Sequence, residues 1–372
     1  MNKYLSSKIK VISFIAIIMV VFLHCYNFQD NFLVSTTIIT EGLNLATFVE
    51  YFLCNGLNRV AVPIFFMISG YLFFLSFKFT TYGYFSKIKS RFVSLAIPYI
   101  LWSLISMGIC LIFWGVDIMP VDNMKLNLEA GGLLQVFLNP PNFQFWFMLQ
   151  LMLYVIISPI IYLIIKFKPT RIIYLLGLFV MWFIDKSIPG IGGVTIVTEA
   201  IFFYSIGAYL AITNKKDIIL KDKQKNTIIT TTVIWIAILI IKTFMCATFN
   251  LDADTTIILV LYKLSVLIGI FSVWFGLDHL MKNEKFTNKI LSLTPHTFFI
   301  FCFHEPLLDF VIQYSINNIS TSIPFSLISY FVYPTITIIL AIIVSKVLIK
   351  YIPFIHNILT GSRGTRKIEI KN

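Results

Sequence analysis

Residues 59–77, RVAVPIFFMISGYLFFLSF, carry one charge, Arg59 at the start, and no other until Lys78. A bilayer crossing needs roughly 20 predominantly apolar residues, and this stretch supplies them with no polar face. The same pattern recurs along the chain. Apolar stretches run over about 9–28, 59–77, 92–114, 145–165, 172–184, 195–213, 227–249, 256–281, 290–313 and 325–349. The expectation is an all-α, polytopic integral membrane protein of about ten transmembrane helices.

The charges between these spans set the orientation. Segments on the N-terminal side hold Lys3, Lys8, Lys10; Lys78, Lys87, Lys89, Arg91; Lys166, Lys168, Arg171; Lys215, Lys216, Lys221, Lys223, Lys225; Lys282, Lys285, Lys289; and Lys346, Lys350, Arg363, Arg366, Lys367, Lys371. These are 24 of the 29 basic residues; Arg59, Lys125, Lys186, Lys242 and Lys263 remain for the other side. Positive charge stays inside, so both termini are expected in the cytoplasm. The expected domain boundaries are 1–350 for the transmembrane domain and 351–372 for a cytoplasmic tail.

Composition agrees with a membrane protein, at 58% hydrophobic and 12% charged residues. The net charge of +12 sits in short loops beside apolar spans. That placement fits topology and attraction to anionic lipid head groups, so membrane lipids are expected partners and nucleic acid is not. Cys25, Cys54, Cys110, Cys246 and Cys302 are odd in number, lie in or at the edge of apolar stretches and form no CxxC pair. They read as packed free thiols. Lys8 and Lys10 ahead of an apolar run give the start the look of a signal peptide, but the run is too long and no small-residue cleavage site follows. The largest pieces between spans, about 29–57 and 115–144, read as outer loops, either re-entrant or lying at the interface, and 214–226 as a solvated inner loop.

Polar residues inside spans are costly and mark candidate sites. His24 lies near the outer end of the first span, about 20 Å above Lys10 at a rise of 1.5 Å per residue. Arg59 opens the second span, with Ser69 and Gly70 deeper in it. Arg91 enters the third, seven residues before Pro98. His304 and Glu305 stand together in the ninth, with Asp309 one turn on. Lys263 is isolated in the eighth span and Glu199 starts the sixth. Each has a plainer reading: a hydrogen-bonded histidine, a snorkelling arginine, a self-satisfied His–Glu pair. Trp146 and its neighbours Phe145 and Phe147 read first as an interfacial aromatic belt. Asp278 and His279, at an inner boundary, read as solvated. There is no P-loop, GxGxxG, HExxH or GxSxG, and no metal site or bound cofactor is expected.

Six of these segments, in order over about 9–310, resemble the membrane acyltransferase type 3 family, which O-acylates polysaccharides and other surface glycans. SFIAIIMVVFLH (13–24) resembles its opening helix ending in histidine. NRVAVPIFFMISGYLFF (58–74) is similar to its Arg-x-x-x-Pro-x-Phe-Phe-x-x-Ser-Gly-Tyr segment, through Arg59, Pro63, Phe65, Phe66, Ser69, Gly70 and Tyr71. KIKSRFVSLAIPYILW (87–102) resembles the basic entry to its third helix. FWFMLQLMLYVIISPII (145–161) matches a pattern carried by Trp146, Phe147, Tyr154 and Pro159. IFFYSIGAYLA (201–211) and TFFIFCFHEPLL (297–308) resemble its Gly-containing and His-Pro helices. The chain departs from the family where Ser13 replaces a basic residue eleven positions before the histidine, with Lys10 one turn earlier. Ser94 replaces the second basic residue of the third entry.

The resemblance implies an enzyme of the cell (inner, cytoplasmic) membrane that moves an acyl group, commonly acetyl, from acyl-CoA as co-substrate to a sugar or polysaccharide hydroxyl. His24 is the implied catalytic base, since a hydroxyl needs its proton removed as it attacks and histidine titrates near neutrality. Arg59, Ser69, Arg91, Trp146, Tyr154, His304 and Glu305 are the implied substrate-binding residues. Among them Arg59, Ser69 and His304 are candidates for stabilising the oxyanion, and Arg91 with Lys87, Lys89 and Lys10 for the donor's phosphates. The competing class is an exporter or flippase of polysaccharide or lipid-linked sugar, in which the same polar groups line a path.

Overall fold

The computed structural model describes residues 2–26, 42–115, 119–191, 194–215, 224–248, 256–320 and 322–362. Helices dominate, because backbone N–H and C=O groups in lipid must find partners within their own segment. In chain order they are α1 (Lys3–Leu23), α2 (Leu45–Cys54), α3 (Ala61–Leu75), α4 (Thr81–Arg91), α5 (Ile97–Ile112) and α6 (Met119–Leu138). Next come α7 (Trp146–Ile156), α8 (Ser158–Lys166), α9 (Lys168–Phe183), α10 (Thr198–Ile212), α11 (Lys225–Thr248) and α12 (Thr256–Leu280). The last are α13 (Glu284–Leu293), α14 (Thr297–Phe303), α15 (Leu307–Asn318), α16 (Ile323–Tyr351) and α17 (Pro353–Thr360). One antiparallel ribbon, Ile188–Ile191 with Val194–Ile196, is the single addition to the expected all-helical class among the described residues.

Among the described residues, six helical segments are long and apolar enough to cross a bilayer: Lys3–Leu23, Leu45–Leu75, Thr81–Ile112, Lys225–Thr248, Thr256–Leu280 and Ile323–Tyr351. Two bent pairs raise this to eight if each is one span. The expected single spans at 145–165 and 290–313 are these bent pairs. The first bends by 65° between α7 and α8, where Pro159 sits in the opening turn of α8 and donates no hydrogen bond. The second bends by 57° between α14 and α15, across His304-Glu305-Pro306. The expected loops 29–57 and 115–144 are also corrected in part. They contain α2 and α6, the latter interrupted at Gly131 and Gly132, where Gly132 takes φ +62°. Residues 27–41, 116–118, 216–223 and 363–372 of these loops and the tail lie outside the described residues. The C-terminal segment is helical through Thr360, with Trp102 Nε1 of α5 donating to Leu359 O at 3.0 Å.

The chain forms two compact units. The first comprises Met1–Phe65, Lys216–Thr294 and Ser315–Ile336; the second comprises Phe66–Lys215, Pro295–Tyr314 and Thr337–Asn372. In the first unit α11 and α12 pair, and α1 packs on the 3₁₀ turn Leu57–Val60. Asn2 caps α1 through the backbone N–H of Tyr4, and Asn44 with Thr47 forms a reciprocal capping box on α2. Asp278, expected to be solvated, instead accepts from the buried Lys8 at 2.7 Å, and Lys8 lies over the Trp274 ring at 4.8 Å. The exposed lysines of α1 are Lys3 and Lys10.

In the second unit α4 continues into α5 through a π-helical turn, Phe92–Ala96. Pro98, which lacks an N–H, follows that turn at once. The tightest packing joins α3 and α10. A Cβ on Gly70 would lie 2.0 Å from Tyr204 O, and one on Gly207 would lie 2.0 Å from Met67 O. Two backbones can approach this closely only where neither carries a side chain, the usual way helices associate in lipid. Thus the glycines of the Ser-Gly-Tyr and Gly-containing segments are packing residues.

Candidate active site

In the first unit α1 ends at His24, which occupies its C-cap and is 9% exposed. The neighbouring end of α2 fixes it. Cys54 Sγ donates to Leu23 O at 2.8 Å, and Leu23, Tyr26 and Cys54 form a small buried cluster. Asn55, the C-cap of α2, is buried and works in two directions. Its side-chain Oδ1 accepts from Arg59 Nη2, and its backbone carbonyl accepts from Lys242 Nζ at 2.9 Å. Arg59 is half-buried and acts electrostatically on His24. Lys242 is 1% exposed and lies over the Tyr51 ring at 5.0 Å and the Tyr262 ring at 5.7 Å. Glu50, placed in an outer loop by the sequence, is buried and accepts from Ser326 Oγ at 3.1 Å. Lys263 is buried beside Tyr262.

The second unit holds the other expected site residues. His304 is fully buried at the helix break, and its Nδ1 lies 3.1 Å from Ile300 O. A carbonyl can only accept, so the proton of the neutral ring sits on Nδ1 and the lone pair on Nε2. Glu305 is buried; its Oε2 accepts from the Asp309 N–H at 3.3 Å. Two amides brace the break. Asn142 Nδ2 donates to Glu305 O at 2.6 Å, and Gln144 Nε2 donates to Phe301 O at 3.2 Å. These carbonyls lie one turn apart at a helix end, where the intrahelical ladder lapses and outside donors are needed.

Arg91 is half-buried at the end of α4, its guanidinium 5.7 Å from the Phe73 ring, which Lys87 approaches at 5.6 Å. Lys89 is exposed. Tyr154 is buried and donates to Gln150 Oε1 at 2.8 Å, while Gln150 Nε2 holds the ribbon through Thr195 O at 2.5 Å. Ser69 is half-buried on α3 beside Gly70. Trp146 is half-buried against Phe66, with ring centroids 5.8 Å apart. Ring contacts run on from Tyr204 to Tyr154 (4.9 Å), Phe66 (6.1 Å), Phe147 (4.5 Å), Phe301 (5.8 Å) and His304 (6.4 Å). Phe73, which Arg91 approaches, contacts Phe74 at 5.0 Å, and Phe74 contacts Tyr204 at the start of this series at 6.0 Å. So the structure joins Arg91, Tyr154 and His304 through one aromatic series and places Trp146 on its flank.

The profile of an acyltransferase domain, that of the type 3 family, matches residues 8–350. The chain belongs to this family. It is a multi-pass membrane acyltransferase. The succinoglycan biosynthesis protein ExoH of Rhizobium meliloti (strain 1021) is 24% identical over 375 residues, covering 99% of this chain and 95% of that protein. No solved structure matches. At the two departures from the family pattern, this acyltransferase has Ser13 half-buried on α1 and Ser94 in the π turn. The backbone of Ser94 lies against Gly361, at the end of α17, where an added Cβ would come within 2.6 Å of Ser94 Cα.

Lys242, Asn55, Asn142 and Gln144 were not among the expected site residues. A lysine within the apolar run 227–249 was the available signal for the first. The turn Asn139-Pro140-Pro141-Asn142 marked only a boundary, because hydrogen bonds to residues 157 and more positions away leave no local pattern.

Proposed function

We propose that this acyltransferase moves an acyl group, acetyl first, from acyl-CoA to a hydroxyl of a cell-surface polysaccharide or lipid-linked sugar. It acts in the cytoplasmic membrane with ten spans and both termini inside. The observation that carries the reading is a buried histidine closing the first apolar span, beside Arg59, in a chain matched to the acyltransferase domain over 8–350. The relative named for succinoglycan biosynthesis supports a polysaccharide acceptor. The shorter apolar helix α10, of 15 residues, supports a count above the six long spans and the two bent pairs.

In this reading His24 takes the proton from the acceptor hydroxyl as its oxygen attacks the thioester carbonyl. The tetrahedral oxyanion collapses, the C–S bond breaks, and the imidazolium returns the proton to the coenzyme A thiolate. Arg59, in the same unit as His24, is the candidate donor to the oxyanion. Arg91 and Lys87, sharing the Phe73 face, suit the phosphates of the donor, and Trp146, Tyr154, His304 and Glu305 are the candidate substrate-binding residues of the second unit. The fixed tautomer of His304, with its lone pair on Nε2, makes it the second candidate for the base.

The test compares envelope glycans from cells with and without the gene. Ester-linked acyl groups present only with the gene, and acceptor-dependent loss of acetyl-CoA by the purified protein, are expected. Unchanged esterification with impaired surface glycan would favour the exporter.

A further inference from the structure

We infer that Lys242 is a positioning residue, one that holds Arg59 and His24 in working geometry by way of the buried C-terminus of α2. The helix α2 ends inside the protein, with Asn55 1% exposed. The last carbonyls of a helix have no intrahelical donor and carry its negative dipole end, so a buried terminus calls for a cation or a donor. Lys242 supplies both at one point, donating from Nζ to Asn55 O at 2.9 Å. It does so from the last third of α11, inside an otherwise apolar run, where a lysine is expensive unless it finds a partner.

The residues it clamps are the ones that hold the candidate site. Asn55 Oδ1 accepts from Arg59 Nη2 across one turn. The adjacent Cys54 donates to Leu23 O, the carbonyl preceding His24. Thus Lys242 and Arg59 grip the same residue from its backbone and its side chain, and Cys54-Asn55 transmits any displacement to both Arg59 and His24. The Tyr51 and Tyr262 rings flank the ammonium at 5.0 and 5.7 Å, their faces favourable to a cation. A shift of about 1 Å in a reacting group can cost about 10²-fold in rate, so a residue outside the chemistry can control it.

This inference rests on the acyl-transfer reading. Its test uses the full-length protein in lipid nanodiscs, with acetyl-CoA as donor and de-esterified envelope glycan as acceptor. Lys242→Met keeps the stem and removes the donor and the charge. The expected result is a fall in kcat of about 10²-fold with KM for acetyl-CoA nearly unchanged. Lys242→Arg should recover most of the rate, and Lys242→Met should add little to the loss already caused by Arg59→Ala. Full activity of folded Lys242→Met, or independent losses that multiply in the double variant, would overturn the assignment. Thermal unfolding of the wild type, Lys242→Met, Arg59→Ala and the double variant decides the point without activity. Coupled shifts in Tm support the shared grip on Asn55, and strictly additive shifts exclude it. Should the wild-type protein transfer nothing, the acyl-transfer reading falls, and the unfolding cycle still judges whether Lys242 and Arg59 act through one residue.

Discussion

Two histidines compete for the role of base, and their surroundings separate them. His24 caps α1 beside Arg59, whereas His304 is held by Ile300 O in one tautomer at a helix break. Replacing His24 with Gln preserves size and hydrogen bonding but removes a group able to take a proton near neutrality. Acyl transfer by purified His24→Gln, normalised to folded protein, should fall by about 10²–10⁴-fold. His304→Gln should fall less; a severe loss in His304→Gln alone would move the base to the helix break. A second residue-scale expectation concerns Asn142. Its amide faces the Glu305 carbonyl at 2.6 Å, so Asn142→Asp would set a carboxylate against an acceptor inside the protein. Asn142→Ala should cost about 1–3 kcal/mol for the carbonyl left unmade. Asn142→Asp should cost more, read as Tm in detergent; equal stability of the two would deny the amide its bracing role. His24, Arg59 and His304 were visible in the sequence because a polar residue stands out in an apolar run. Asn142 and Gln144 were not, because their partners are distant in the chain.

At the scale of elements, composition predicted where helices form better than where they stop or bend. An apolar run of twenty residues reads the same whether it is straight or folded at a proline. That is why 145–165 and 290–313 read as single spans although each bends by more than 50°. The helix α6 hid in an expected loop because Asp122, Lys125, Glu129 and the pair Gly131-Gly132 interrupt its apolar residues. The glycines tell a different story. Gly70 and Gly207 occur in the segments that suggested the family, and the structure gives them a packing reason at the α3–α10 crossing. Gly70→Ala should drive a methyl into Tyr204 O and cost about 1–3 kcal/mol or more. Gly108→Ala, in α5 with nothing within 4 Å of the added carbon, should be neutral or stabilise by about 0.5–1 kcal/mol. Fluorescence-detected size exclusion of the two variants checks this: loss of the monodisperse peak is expected for Gly70→Ala alone.

For the whole molecule, orientation follows from a charge asymmetry that no side-chain contact reveals. The sequence assigns 24 of 29 basic residues to one side, and the structure accounts for part of the remainder. Lys242 and Lys263 are buried within helices, so they do not count against the rule, which concerns loops flanking spans. Conversely Lys8 is paired with Asp278, which lowers its weight as a topological signal, while Lys3 and Lys10 remain exposed at the same end. The asymmetry therefore survives the structural correction, and it predicts that the N-terminus, residues 214–226 and the C-terminus face the cytoplasm. Single cysteines placed at Lys3, Asn214 and Asn372 in a cysteine-free background should resist a membrane-impermeant maleimide applied to intact cells and react after permeabilisation. One at Asn123, near the start of α6, should react in intact cells. Labelling at Asn214 from outside would reverse the orientation. It would also place Arg91 and Lys87 on the side away from cytoplasmic coenzyme A, removing their proposed role at the donor.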